Sequence, residues 1–223
     1  MWHRASLVDS EVAGPGLSLV RVAVPPEVAS GFEVPGQFSR VRLAGLEATF
    51  AIASAPGHPS FEFFVRTHGD VARALTSLTP GETFELSDPE GPGFPVERVK
   101  GRSLLLVGTG TGWAPLRSVA LHVRGRRADW KQVRGLYGAL TPEHVVFDQE
   151  LTALRDAAIE VKVTVTEPMS SWTGPVGRVQ ALLPADGLED TVALLCGQPE
   201  MTDDVAGLLR ARGLPAANAW LNF

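Results

Sequence analysis

The run Leu104-Leu105-Leu106-Val107-Gly108-Thr109-Gly110-Thr111-Gly112-Trp113-Ala114-Pro115-Leu116 carries residue types and spacing suited to holding a diphosphate. Its apolar residues suit a buried parallel strand, and its alternating glycines allow an approach that a side chain would block. Pro115 fits the first turn of a helix, where its missing N–H costs nothing. An anion at that turn would meet free backbone N–H groups and the positive end of a helix dipole. A tight strand-to-helix connection that binds nothing can use the same glycines. The pattern is G-x-G-x-G and not G-x-G-x-x-G, and no acidic residue stands at the expected end of a second strand to hold a ribose. The motif therefore depends on the elements around it.

Those elements alternate after Pro95: strand 103–107, helix 115–123, strand 133–138, helix 146–157, strand 159–166, helix 176–183, strand 191–196, helix 199–212 and strand 217–222. Repeated strand–helix units predict an α/β doubly wound five-stranded parallel sheet. The usual order places its first and fourth strands side by side, so that Gly108 to Gly112 and Gly197 to Met201 face one crevice. Cys196-Gly197-Gln198-Pro199 would form the second lip of that crevice. Before Pro95, short β-rich runs such as Phe61-Glu62-Phe63-Phe64-Val65-Arg66 are separated by Pro/Gly turns and predict an antiparallel β-barrel. One helix, 71–78, interrupts it before Pro80-Gly81. The expected domains are 1–98 and 99–223, joined at Val99-Lys100-Gly101.

The 223 residues carry a net charge of -5 without blocks of like charge. The absence of a basic patch argues against a nucleic-acid partner, and no apolar stretch has the length of a membrane span. The N-terminal residues lack the apolar core of a signal peptide, so a cytoplasmic location is expected. The single cysteine, Cys196, excludes an internal disulfide and a cysteine-ligated iron–sulfur cluster within this chain. The five histidines show no ligand spacing, and no metal site is expected.

A barrel followed by this sheet, with G-T-G-T-G-x-A-P-L after the first strand and C-G-Q-P-E-M after the fourth, resembles the ferredoxin–NADP reductase superfamily. The resemblance spans nearly the whole chain. It is nearest to the electron-transfer subunits of dihydroorotate dehydrogenase and to γ-type hydrogenase subunits, through Pro35-Gly36-Gln37-Phe38, Pro89-Glu90-Gly91-Pro92-Gly93-Phe94-Pro95 and Tyr137-Gly138-Ala139-Leu140-Thr141-Pro142-Glu143. The resemblance implies FAD in the barrel, a nicotinamide dinucleotide on the sheet and hydride transfer between them. Gly108, Thr109, Gly110, Thr111 and Gly112 would hold the dinucleotide diphosphate, beside Gly197, Gln198 and Pro199. Cys196 would sit near the nicotinamide and act by packing and polarity. A redox partner protein or a small acceptor would take the electrons, because the cysteine-rich segment of the nearest branches is not in this sequence.

The barrel half departs from the family pattern. The flavin motif R-x-Y-S-x-x-S aligns with Ala48-Thr49-Phe50-Ala51-Ile52-Ala53-Ser54, which keeps only Ser54 of the four motif side chains. Ala48 removes a charged donor from the flavin diphosphate. Phe50 can still stack on a flavin ring, and Phe50, Ala51, Ile52 and Ser54 remain the expected flavin-side residues. The second phosphate segment is His68-Gly69-Asp70-Val71-Ala72-Arg73, where Gly69 would form the turn and Asp70 brings unwanted negative charge. Arg66 and Arg73 are the expected replacement cations. Leu140 replaces the arginine of Y-G-x-R, which favours NADH over NADPH. Arg117 is read as a solvent-facing residue of the first sheet helix, and Trp172-Thr173-Gly174-Pro175-Val176-Gly177 as a structural connection. Phe223 is a candidate cover for the flavin face. Two functions follow: a flavin-dependent NADH oxidoreductase, or a non-catalytic reductase-like module that has lost FAD and serves nucleotide sensing or docking.

Overall fold

The computed structural model describes residues 1–222, apart from the side chains of Asp148 and Gln149; Phe223, and with it the expected flavin cover, lies outside the described residues. The N-terminal half forms a six-stranded antiparallel sheet in the order β4-β3-β6-β1-β2-β5. Its strands are β1 (Trp2–Gly14), β2 (Leu17–Ala23), β3 (Phe38–Leu43), β4 (Leu46–Ala51), β5 (Ser60–Arg66) and β6 (Thr83–Ser87). An antiparallel bridge between Ile52 and Phe63 brings the end of β4 onto β5, so the two sheet edges meet as a barrel. Phe61, Phe63 and Val65 of β5 fill the barrel interior with Val20, Val22, Ile52 and Leu86. The alternate residue Phe64 joins the core of the second half instead, so β5 serves both cores.

Two helices decorate the barrel. α2 (Asp70–Thr76) is the expected one, and α1 (Pro26–Gly31) is an additional single turn started by Pro26 at its first position. The second half is a five-stranded parallel sheet in the order β11-β10-β7-β8-β9. These strands are β7 (Ser103–Thr109), β8 (Val133–Ala139), β9 (Ile159–Val165), β10 (Thr191–Cys196) and β11 (Ala219–Leu221). Leu104 and Leu106 face the core beneath α3 (Trp113–Arg124) and α4 (Asp148–Asp156). Leu105 and Val107 face the opposite core with Val205 and Leu209 of α5 (Pro199–Ala211). Burial on both faces explains the unbroken apolar runs of β7 and β10.

Two expected helices change. The segment 176–183 forms only a 3-10 turn, Val179–Leu182, after Val176 has bridged to Val165 of β9. Gly177 takes φ +122°, and Leu183, preceding Pro184, is extended at ψ 136°, which leaves no room for a helix. α4 begins at Asp148 and not at Val146, because Phe147 adopts a left-handed conformation with φ 66° and cannot continue a helix backwards.

Candidate functional site

β7 and β10 lie side by side, with Gly108 in register with Cys196, so the loops that follow them open into the same crevice. Close packing between those loops dictates most of the glycines. A Cβ on Gly112 would fall 2.5 Å from the Cys196 carbonyl oxygen, and one on Gly108 would fall 2.6 Å from Leu116 Cδ1. A Cβ on Gly197 would meet Thr109 Oγ1 at 2.6 Å. Gly110 differs: its φ is +54°, and a Cβ there would lie 3.2 Å from Arg66 Nη2, a group reaching over from the barrel. The expected phosphate loop thus contains glycines with two duties, close packing at Gly108 and Gly112 and a left-handed backbone at Gly110.

The crevice is continuous with a groove in the barrel, giving one cleft of about 1360 Å3. Its barrel wall includes Ala48, Phe50, Ala51, Phe64, Arg66 and Gly69. Its sheet wall includes Thr109, Gly110, Thr111, Gly112, Cys196, Gly197 and Gln198. Arg66 is exposed to the cleft and has no ion-pair partner among the described residues. The acidic side chains on its wall are otherwise engaged: Glu47 pairs with Arg40 and Arg42, and Asp70 pairs with Arg73. The unbalanced charge of the barrel wall is therefore a cation, although Ala48 contributes none.

Other expected site residues lie elsewhere. Arg73 is an exposed partner of Asp70 at 2.5 Å and does not line the cleft. Ile52 is fully buried in the barrel core. Ser54 is also buried, and its hydroxyl accepts the Glu62 N–H at 3.3 Å. Gly108 packs beneath the loop, and Pro199 starts α5 behind the lining residue Gln198. Cys196 is half-buried at the strand end. Burial pushes its thiol up to about 12, only partly offset by the Gly197 N–H, so it remains a neutral thiol at ordinary pH.

Sequence reasoning missed Arg178 and Gln180, which line the sheet wall beyond β9. Arg178 is exposed and unpaired among the described residues, while the Gln180 Oε1 atom is buried without a hydrogen-bond partner. The basic residue inside the W-x-G-x-V-G-R segment was the only available signal. Arg117 is a correction of another kind. It is 4 % exposed, not solvent-facing, and binds Glu62, Glu150 and the Ala53 carbonyl. The barrel packs on the helix face that an isolated α3 would show to water.

Among the described residues, no group of three or more potential ligands could hold a metal ion. No helix among them is long and apolar enough to cross a membrane.

Residues 106–207 match the family model for an oxidoreductase NAD-binding domain. The sulfhydrogenase 1 subunit gamma of Pyrococcus furiosus is 32 % identical over 206 residues, which cover 89 % of this chain and 70 % of that protein. Ferredoxin–NADP reductase B of Sorangium cellulosum is 32 % identical over 189 residues, covering 76 % of this chain and 75 % of that one. The crystal structure of a ferredoxin NADP+ reductase from Neisseria gonorrhoeae with bound FAD and NADP superposes with a TM-score of 0.80 at 23 % identity, over 95 % of this chain and 92 % of that chain. A barrel and a doubly wound sheet that share one cleft, together with these relatives, place the chain in the ferredoxin–NADP reductase superfamily of oxidoreductases.

Proposed function

We propose that the protein is a flavin-dependent NADH oxidoreductase that passes hydride from NADH to FAD, and electrons onward to a redox partner protein or a small acceptor. The observation that carries this reading is the single cleft, whose walls come from the barrel and from the β7 and β10 loops. The residues present fit FAD: Phe50 and Ala51 offer an apolar wall, and Arg66 offers an unpaired cation where diphosphates of either dinucleotide would need one. FAD would supply the redox chemistry. The chain's own contribution is placement. Backbone groups of Thr109 to Gly112 would bind a diphosphate, Gln198 and Gly197 would form the opposite lip, and the neutral Cys196 thiol would pack beside the nicotinamide without acid–base work.

Ala48 favours a second reading, a reductase-like module that binds nucleotide without flavin, because the wall lacks a second charged donor. Steady-state reduction of ferricyanide by the FAD-loaded chain separates the two. The expected result is NADH-dependent turnover with kcat/KM for NADH about tenfold or more above that for NADPH, which is over 1.4 kcal/mol of discrimination. No turnover with either nucleotide would support the module. NADPH preference that disappears in Arg178→Ala would instead make Arg178 a reader of the 2′-phosphate and overturn the NADH assignment.

A further inference from the structure

One turn of α3 is bolted to the barrel. The Arg117 Nη1 group donates to the Ala53 carbonyl at 2.8 Å and to Glu62 Oε2 at 2.6 Å. The Nε and Nη2 groups grip Glu150 of α4 at 2.8 and 2.5 Å. The next residue, Ser118, donates to the Ser54 carbonyl at 2.7 Å. The second Glu62 oxygen accepts from Arg21 Nε at 3.1 Å, and Arg21 also binds Asp9, which carries the network into β1 and β2. At its centre the Arg117 and Glu62 side chains are buried and bound to each other, while Glu150, Arg21 and Asp9 at its ends are partly exposed; a buried, hydrogen-bonded charge pair of this kind favours one geometry.

Its anchors lie on, or within three residues of, the strands and helices that make the cleft. Ala53 and Ser54 follow the wall residues Phe50 and Ala51 after one buried residue, Ile52, and α3 directly follows the Gly110–Gly112 turn of the sheet wall. The Phe147 ring supports the network from beneath, 4.1 Å from the Arg117 guanidinium carbon, and meets the cleft-lining ring of Phe64 at 3.9 Å. Phe147 holds this place with φ 66°, a left-handed conformation that bulky side chains rarely adopt and that surrounding contacts must enforce.

The geometry points to Arg117 as a positioning residue: by holding Ala53, Glu62 and Glu150 at once, it fixes the spacing between the barrel and sheet walls of the cleft. This rests on the proposed reductase function only for its consequence, because that spacing then sets how closely the nicotinamide approaches the flavin. Arg117 touches neither reacting group and acts through the walls it ties together.

The test compares Arg117→Lys with the double variant Arg117→Met/Glu62→Gln, which leaves no unpaired Glu62 carboxylate buried. Spin labels are placed at Val12→Cys on the barrel and Met169→Cys on the sheet half, both exposed at 84 % and 46 %, in a Cys196→Ala background. Distances are measured by pulsed electron resonance on the full chain without cofactors. The expected result is one narrow distance distribution with Arg117 present, and a broadened or shifted one in both variants. In the FAD-loaded proteins carrying Cys196, kcat for NADH-dependent ferricyanide reduction is expected to fall about tenfold or more, with KM for NADH changed less than about twofold. Unchanged distances in both variants overturn the proposal, whatever happens to thermal stability. A rise in KM with kcat unchanged also overturns it, since it would make Arg117 a support of nucleotide binding alone. The distance measurement needs no flavin, so a chain that never binds FAD defeats the proposed function and leaves the positioning role to be judged by the distances.

Discussion

Ala48 leaves the barrel wall without a charged donor at the position where the family motif supplies one, and Arg66 is the cation that the fold puts in reach. It stands over Gly110 with no partner among the described residues, whereas Arg73 is spent on Asp70. Replacing Arg66 by Ala removes charge-assisted hydrogen bonds worth about 1.5–3 kcal/mol in a partly screened site, so dinucleotide affinity is expected to drop roughly 10- to 150-fold. Isothermal titration of FAD and of NADH into the wild-type and variant chains measures this drop. Equal affinities would show that Arg66 is a solvated bystander. The sequence marked Arg66 and Arg73 as equivalent candidates, and the structure separates them: Arg66 lines the cleft, whereas Arg73 lies off it, paired with Asp70. Arg117 was illegible for a related reason. The apolar face of α3 is carried by Leu116, Val119, Ala120 and Val123, and nothing in that periodicity shows that a second half of the chain covers the polar face at Arg117 and Ser118.

The strands are the elements most directly written in the residues. Runs such as Leu104 to Val107 and Val192 to Leu195 are apolar on successive positions because both sheet faces are covered, and β7 and β10 are neighbours as the usual doubly wound order expects. The glycines between strand and helix were equally visible, but their reasons were not. Gly108 and Gly112 yield to Leu116 and to the β10 loop, a neighbour far away in sequence. Gly112→Ala would drive a methyl group into a backbone carbonyl that cannot swing aside, at an expected cost of about 1–3 kcal/mol. Differential scanning calorimetry should show a Tm lower by several degrees, with Gly125→Ala as the contrast, since a Cβ at Gly125 meets nothing within 4 Å and its φ is −66°. Equal Tm values for the two variants would contradict the packing role. The 176–183 segment misled because its apolar residues have helical spacing, while Gly177 and the approach to Pro184 decide its backbone.

At the scale of the whole molecule, the two halves are held together by apolar packing at Leu17, Leu19, Ala53 and Phe64 and by the Arg117 network. Burial alone would raise the Glu62 carboxyl, but Arg117 and Arg21 more than offset this and hold it below its ordinary value of 4.5. Burial would likewise raise Glu97, yet Lys100, His122 and Arg126 bring it down to about 2. A carboxyl depressed in the folded state contributes stability that is complete above its unfolded pKa and is lost as pH falls through the folded one. Stability is therefore expected to be flat from neutrality to about pH 5 and to decline below about 4.5. Glu62→Gln should be less stable at pH 7 and show a shallower acid decline in urea titrations. An unchanged acid slope would contradict the assigned role of Glu62.

The two-walled cleft is the centre of the functional reading, and anaerobic visible spectroscopy of the FAD-loaded chain tests it most directly. The flavin bands expected at about 370 and 450 nm should persist after removal of free FAD and bleach when NADH is added. A chain that binds NADH but keeps no flavin, or holds flavin that NADH leaves oxidised, would contradict hydride transfer across this cleft.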